Sequence, residues 1–211
     1  MNADTIAPWY RWIEYAAFGR SLEHHRFLFL DRLANAQKIL VMGEGDGRTL
    51  AQLVYIAPDA QIDVVESSAG MIQLARRRVS SNAKVCFHQL DAGSSDLWAV
   101  ASAKVDGIVT SFFLDCFDEA SARQIVGRLA QALEPGGLWL MNDFSIPPSG
   151  WRRWHARAWI GVMYRFFRLT THLRANKLPP IDVILNDAGL RLIESRTSFG
   201  AMIVSQVWRK P

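Results

Sequence analysis

A chain of 211 residues, half of them hydrophobic, suits a single α/β domain with a full core and excludes a disordered chain. No apolar run approaches about 18 residues, so nothing in it reads as a membrane span. The formal net charge is only +4, but it is unevenly spread, and that unevenness becomes informative near the C-terminus.

The N-terminus, Met1-Asn2-Ala3-Asp4, lacks the basic and then apolar pattern of a secretion signal, which points to a cytoplasmic protein. Cys86 and Cys116 are then expected to be reduced core thiols. They show no metal spacing and the five histidines do not cluster with them, so no metal site is expected. Residues 8–15 and 18–33 read as one or two aromatic-rich helices within an N-terminal helical segment, 1–34.

The next segment carries the strongest signal. Residues 39–42 are an apolar run that breaks into Gly43-Glu44-Gly45-Asp46-Gly47, and 49–56 read as a helix. Glycines spaced two apart permit backbone angles closed to other residues and let a ligand touch the main chain. The following helix aims free N–H groups back at that ligand. The dinucleotide fingerprint needs Gly-x-Gly-x-x-Gly, and Arg48 stands where its third glycine belongs.

A second run, Ile62-Asp63-Val64-Val65-Glu66, ends in an acid placed to accept hydrogen bonds from the two hydroxyls of a ribose. Ser67 leads into a helix over 71–79. A third run, 84–90, ends in Asp91 and Ala92. A short helix is expected near 95–101, then a strand over 105–113 that includes Ser111 and Phe112. A helix over 119–133 leads through Leu133-Glu134-Pro135-Gly136-Gly137 into a strand over 137–141. Strands alternating with helices predict a Rossmann-like, mostly parallel sheet with helices on both faces.

Taken together these motifs resemble the class I S-adenosylmethionine-dependent methyltransferases. The glycine turn resembles that family's first motif. The resemblance implies cofactor contacts from Gly43, Glu44, Gly45, Gly47, Glu66, Ser67, Asp91, Ala92, Ser111 and Phe112, with Glu66 on the ribose and Asp91 on the adenine amine. It covers residues 35–145, the cofactor-binding core, and extends to 181–211, where Ile181–Leu190 resembles the last helix and Ala201–Lys210 a final strand, antiparallel in this family. In that family an N-terminal segment such as 1–34 folds across the cofactor, within reach of Tyr10, Tyr15 and Arg26 here. Two departures stand out. Val41 replaces the family's usual acid, which supports the glycine turn, and Asp115-Cys116 stands where the family often keeps a histidine.

The remaining segment, 146–180, is a basic aromatic insert. Between Trp151 and Pro180 lie Arg152, Arg153, Arg157, Arg165, Arg168, Arg174 and Lys177 and no acid. Taking those seven from the 24 bases leaves 17 against 20 acids in the rest of the chain. At about 100° per residue Trp151, Trp154, Ala158, Val162, Leu169 and Leu173 share one side, and Arg153, Arg157 and Arg168 another. Three readings stay open: a helix packed on the sheet with a solvated arginine face, a substrate lid, or a helix in peripheral contact with the inner membrane surface through 151–177. Trp154, Arg157 and Tyr164 join Tyr10 and Tyr15 as candidate acceptor contacts. No nucleic-acid motif surrounds these bases.

The implied activity is methyl transfer to a small-molecule or lipid-like acceptor. Asp143 and Asp115 are candidate bases by position; His24, His25, His155 and His172 read more simply as structural. A non-catalytic binding protein of the same fold and an NAD-dependent oxidoreductase remain as other classes. The acceptor atom and the oligomeric state are not legible.

Overall fold

The computed structural model describes residues 10–80, 83–92, 103–147, 149–171 and 177–211. Two helices, α1 (Tyr10–Phe18) and α2 (Ser21–Phe27), and a 3-10 turn (Leu30–Leu33) precede the sheet. Then come β1 (Lys38–Met42), α3 (Arg48–Ile56), β2 (Gln61–Glu66), α4 (Ala69–Arg76), β3 (Val85–Gln89) and β4 (Val105–Ser111). A 3-10 turn (Leu114–Cys116), α5 (Glu119–Ala132), β5 (Leu133–Phe144), α6 (Trp151–Thr171), α7 (Ile181–Asp187), β6 (Arg191–Ser198) and β7 (Ile203–Arg209) complete the chain.

The sheet has seven strands in the order β3-β2-β1-β4-β5-β7-β6. The first five are parallel, and β7 runs antiparallel to both β5 and β6. The strand order reverses beside β1, so the carboxyl ends of β1 and β4 splay apart into a crevice. Residues of β1 alternate between two cores. Val41 packs with Leu50, Leu53 and Ala75 on one face, and Met42 packs with Leu114, Trp139 and Leu185 on the other. Period-two alternation between two covered faces explains why β1 and β2 read as unbroken apolar runs.

The helix starts are set locally. The Ser68 hydroxyl accepts the Met71 amide at 3.1 Å, and the Asp118 carboxylate accepts the Ser121 amide at 2.9 Å, capping α4 and α5. Several expectations shift. The helix expected near 95–101 lies outside the described residues. Strand β5 begins at Leu133 rather than at 137, because Leu133 already pairs with Val105 before the register shifts at Gly107. Strand β6 was not anticipated: it is an edge strand with mostly exposed side chains, and so lacks an apolar run.

The insert forms one continuous helix over its described part, not two. Its expected apolar side does not pack on the sheet. Trp151 and Trp154 are each 72% exposed and Val162 is 68% exposed. A shorter row, Ala156, Ile160 and Tyr164, spaced four apart, is buried instead. Ile160 and Tyr164 pack against Cys116, Phe144 and Leu178. Small and medium side chains approach the sheet more closely than two tryptophans would. The side chains of Arg168 and Leu169, and all of Leu173 and Arg174, lie outside the described residues.

Candidate functional site

The crevice at the carboxyl ends of β1, β2 and β4 is a cleft of about 780 Å³, partly open to solvent. It is built first by the glycine turn. Gly45 has φ 69°, and a Cβ there would meet no protein atom within 4 Å, so its bare face looks onto free space. Gly47 has φ 90°, and a Cβ there would come 2.4 Å from Ala75 Cα. Gly47 therefore serves the close packing of α3 on α4 and does not line the cleft.

The other nine residues expected to hold the cofactor all line this one cleft: Gly43, Glu44, Gly45, Glu66, Ser67, Asp91, Ala92, Ser111 and Phe112. Glu66 ends β2 with its carboxylate turned to the glycine turn. It accepts the Gly45 amide at 3.0 Å on one oxygen and the Ser68 amide at 2.9 Å on the other. Those bonds fix the carboxylate and leave further lone pairs toward the cleft. Phe112 holds φ 53°, a left-handed backbone rare for a bulky residue, and its amide donates to the Asn142 carbonyl at 2.7 Å.

Position 41 offers the glycine turn no acid, but a carboxyl reaches the start of α3 from Glu44. Val41 is core, and the α3 N-cap, Gly47, has no side chain to offer. The Glu44 carboxyl reaches the orphan amide of Leu50 at 2.9 Å. Burial pushes Glu44 up to about 8, only partly offset by the Leu50 amide and Arg26, with Asp46 and Glu66 adding to the rise. A carboxyl raised in the folded state removes stability as pH climbs from its unfolded value of 4.5 through about 8. Glu44→Gln keeps the acceptor for Leu50 but cannot ionise. It should match the wild type's thermal midpoint near pH 5 and exceed it at pH 9. Parallel melting curves across that range would refute the assignment.

Arg26 joins the cleft from α2. Its guanidinium sits 5.1 Å from the centre of the Phe112 ring and is held by both oxygens of Glu14. Glu14 also takes Arg48, whose Nε donates to Asp46 Oδ1 at 2.9 Å while its Nη1 lies 3.5 Å from Glu23. Arg78 closes the set on Asp46 at 3.2 Å. This buried network pins the N-terminal helices to the glycine turn. It also explains Arg48 at the third dinucleotide position: the side chain is committed to ion pairs where close helix packing would need glycine.

Of the other expected contacts, Tyr15 is half-buried and donates to Glu23 at 2.9 Å, away from the cleft lining. The Tyr10 side chain lies outside the described residues. Trp154 and Arg157 face outward and do not line the cleft. Tyr164 is buried, and its hydroxyl donates to the Asp115 carbonyl at 2.9 Å.

Asp115 and Asp143 are buried together behind the Phe112–Cys116 wall, and neither opens on the cleft. Asp143 Oδ2 accepts the Asp115 amide at 3.2 Å and Oδ1 the Phe144 amide at 2.8 Å. Burial raises Asp115 to about 6, tempered by hydrogen bonds from Asp143 and Cys116. Asp143 is raised well above the carboxylate range, first by burial and then by the charge of Asp115. Burial thus favours the neutral form of each carboxyl, and the nearness of the two opposes ionisation of both at once. Cys116 lines the cleft and its thiol lies 3.6 Å from Asp115 Oδ1, so one side chain separates the pair from the open space.

Two sequence expectations about cysteine and histidine fail. Cys86 is exposed, not core. It also meets His88 and Asp63 across β2 and β3, all three donor atoms lying within 4.8 Å of one another. Residues two apart on one strand share a face, which the linear spacing concealed. His88 Nε2 is 2.9 Å from Asp63 Oδ1, and the group stands outside the cleft lining. His25 is structural: its ring nitrogens meet Ser205 at 2.6 Å and Ser198 at 2.5 Å, and burial, then the charge of His24, lowers it to about 4.

Comparison with known proteins agrees with this geometry. A family model described as a methyltransferase domain matches residues 39–137. The chain is 30% identical over 112 residues to the demethylmenaquinone methyltransferase of Clavibacter sepedonicus, covering 53% of this chain and 43% of the relative. It is 28% identical over 130 residues to the malonyl-[acyl-carrier protein] O-methyltransferase of Halalkalibacterium halodurans, covering 59% and 47%. The match thus spans less than half the length of either curated relative. Among solved structures, the N-methyltransferase NodS of Bradyrhizobium japonicum in complex with S-adenosyl-L-homocysteine superposes with a TM-score of 0.64 at 17% identity, covering 92% of this chain and 88% of that one. Human N-acetylserotonin methyltransferase in complex with S-adenosylmethionine gives 0.63 at 14% identity, covering 95% and 55%.

Proposed function

We propose, from the premise that the chain belongs to the class I S-adenosylmethionine-dependent methyltransferase family, that it transfers a methyl group to a small-molecule or lipid-like acceptor. One observation carries the reading. Nine residues from four separate strand ends, each singled out by motif, converge on a single cleft at the point where strand order reverses.

The residues suit the cofactor chemically. Bare Gly45 gives room for close approach to the main chain, Glu66 would hold the ribose hydroxyls, and Asp91 would accept from the adenine amine. Apolar Val65, Met71, Leu90 and Phe117 supply the cleft's dry walls. When bound, S-adenosylmethionine supplies a methyl group already activated on a sulfonium. The protein's task is then chiefly orientation. Phe112 and Phe113, fixed at the end of β4, narrow the far side of the cleft, where an acceptor would lie. An acceptor that must lose a proton would pass it toward Asp115, across Cys116. A lipid-like acceptor is favoured by the aromatic rings of Phe112, Phe113 and Phe117 in the cleft lining. The name demethylmenaquinone on one relative agrees with it.

The test is cofactor affinity. Titrating S-adenosylmethionine calorimetrically into wild type and Glu66→Ala should show at least about tenfold weaker binding in the variant, since losing a bond to a charged group costs roughly 1.5–3 kcal/mol. NAD should give no heat with either protein. Equal S-adenosylmethionine affinity in the two would remove Glu66 from the ribose role, and no binding to wild type would remove the proposed reaction.

A further inference from the structure

Helix α6 has two apolar faces, and the sheet uses only one. Ala156, Ile160 and Tyr164 are buried, while Trp151, Trp154, Ala158 and Val162 form a second row on the opposite side and are exposed. A surface helix ordinarily turns one apolar stripe inward and a polar face outward. A second outward stripe containing two tryptophans calls for something to cover it.

The surrounding charge says what kind of surface that is. Arg153 and Arg157 are exposed on the same helix, Arg157 toward the flank of the row, and Arg165 stands within it. No aspartate or glutamate occurs from residue 144 to residue 181. Tryptophan seated among arginines, with no acid nearby, matches the boundary of a bilayer that carries anionic headgroups. There the indole ring enters the interface and the guanidinium remains with the phosphates. A polyanion without an apolar layer would leave the tryptophans and Val162 in water.

A second feature lies on the same side. Trp151 and His155 of α6, with Phe199, Gly200 and Met202 from the turn before β7, line a groove of about 570 Å³. Phe199 is 39% exposed. From it a line of ring contacts leads inward: Phe199 to Phe18 at 5.5 Å, Phe18 to Phe144 at 5.3 Å, and Phe144 to Phe112 at 5.1 Å. Phe112 lines the cofactor cleft. The aromatic line joins the outward face of α6 to the site.

We propose that the Trp151–Trp154–Val162 face of α6, with the Phe199–Met202 turn, seats the protein on an anionic phospholipid bilayer, so that an apolar acceptor enters through the Trp151–Phe199 groove. The route of entry rests on the methyl-transfer reading; the seating on the bilayer does not.

Co-sedimentation with vesicles tests the seating alone. Wild type should pellet with equimolar phosphatidylcholine–phosphatidylglycerol vesicles at low salt, far less with phosphatidylcholine alone, and progressively less as salt rises. The triple variant Arg153→Gln, Arg157→Gln, Arg165→Gln should bind the anionic vesicles about a hundredfold more weakly, from roughly 1 kcal/mol per interfacial base. Trp151→Ser with Trp154→Ser should lose binding that salt does not account for, and should abolish quenching by brominated lipid. S-adenosylmethionine affinity, measured on the same samples, reports separately on the cofactor reading and should not change in either variant. The seating is overturned if wild type ignores anionic vesicles, if it binds both compositions equally, or if both variants bind as wild type does.

Discussion

Replacing Glu14 with alanine is expected to lower the unfolding free energy by about 3 kcal/mol. The side chain is 4% exposed and serves two buried guanidinium groups, Arg26 and Arg48. Burial alone would raise its carboxyl, yet Arg26 and then Arg48 outweigh burial and hold it below 4.5. Breaking a buried pair leaves an uncompensated charge, which ordinarily costs about 3–5 kcal/mol. The lower end applies because Asp46 and Glu23 remain beside Arg48. A carboxyl depressed in the folded state gives stability that is complete above its unfolded value of 4.5 and is lost as pH falls below it. Urea unfolding at pH 7 and pH 4 should therefore show the gap between wild type and Glu14→Ala shrinking in acid. A loss under about 1 kcal/mol at pH 7 would show that the network is no stronger than a surface ion pair. Because Arg26 also lines the cleft, the same variant should bind cofactor more weakly even where it remains folded.

Glu14 also marks the limit of what the sequence discloses. Strands β1, β2 and β4 were legible because a strand covered on both faces is largely apolar, and the glycine turn because its backbone angles exclude other residues. Glu66 and Asp91 were legible because each ends a strand at the crevice. The ion-pair network was not, since Glu14, Arg26, Arg48 and Arg78 are separated by 12 to 64 residues in the chain and meet only through the fold. The orientation of α6 stayed open for a related reason. Its sequence carries two apolar rows, and periodicity detects a row without saying what covers it. Glu44 looked like a generic acid in a glycine turn. Only the bare N-cap at Gly47 and the position of the Leu50 amide disclose that its carboxyl reaches the start of α3.

Asp115→Asn is expected to lower the rate of methyl transfer to an acceptor that gives up its proton through Cys116 by about 10²-fold, the lower end of a base's usual share, because the carboxylate stands one side chain back from the cleft. The division of labour within the pair follows from its surroundings. Asp143 is raised first by burial and then by the Asp115 charge beside it. Asp115 is raised to about 6 and so is ionised at neutral pH, yet basic enough to accept a proton. The wild-type rate should rise with pH through about 6, and Asp115→Asn should lose that limb. Asp143→Asn should behave differently. Its amide can donate a hydrogen bond to Asp115, although one of the two backbone amides it now accepts is left unpaired. That variant should lose stability on the order of 1–3 kcal/mol while keeping a pH limb. The contrast separates a base from a structural carboxylate more sharply than either rate alone. A structural pair would show comparable losses in both variants and an unchanged limb in each. If Asp115→Asn transfers methyl groups at the wild-type rate with the limb intact, the titrating group belongs to the acceptor and the buried pair serves only to hold the Phe112–Cys116 wall against Tyr164 and β5.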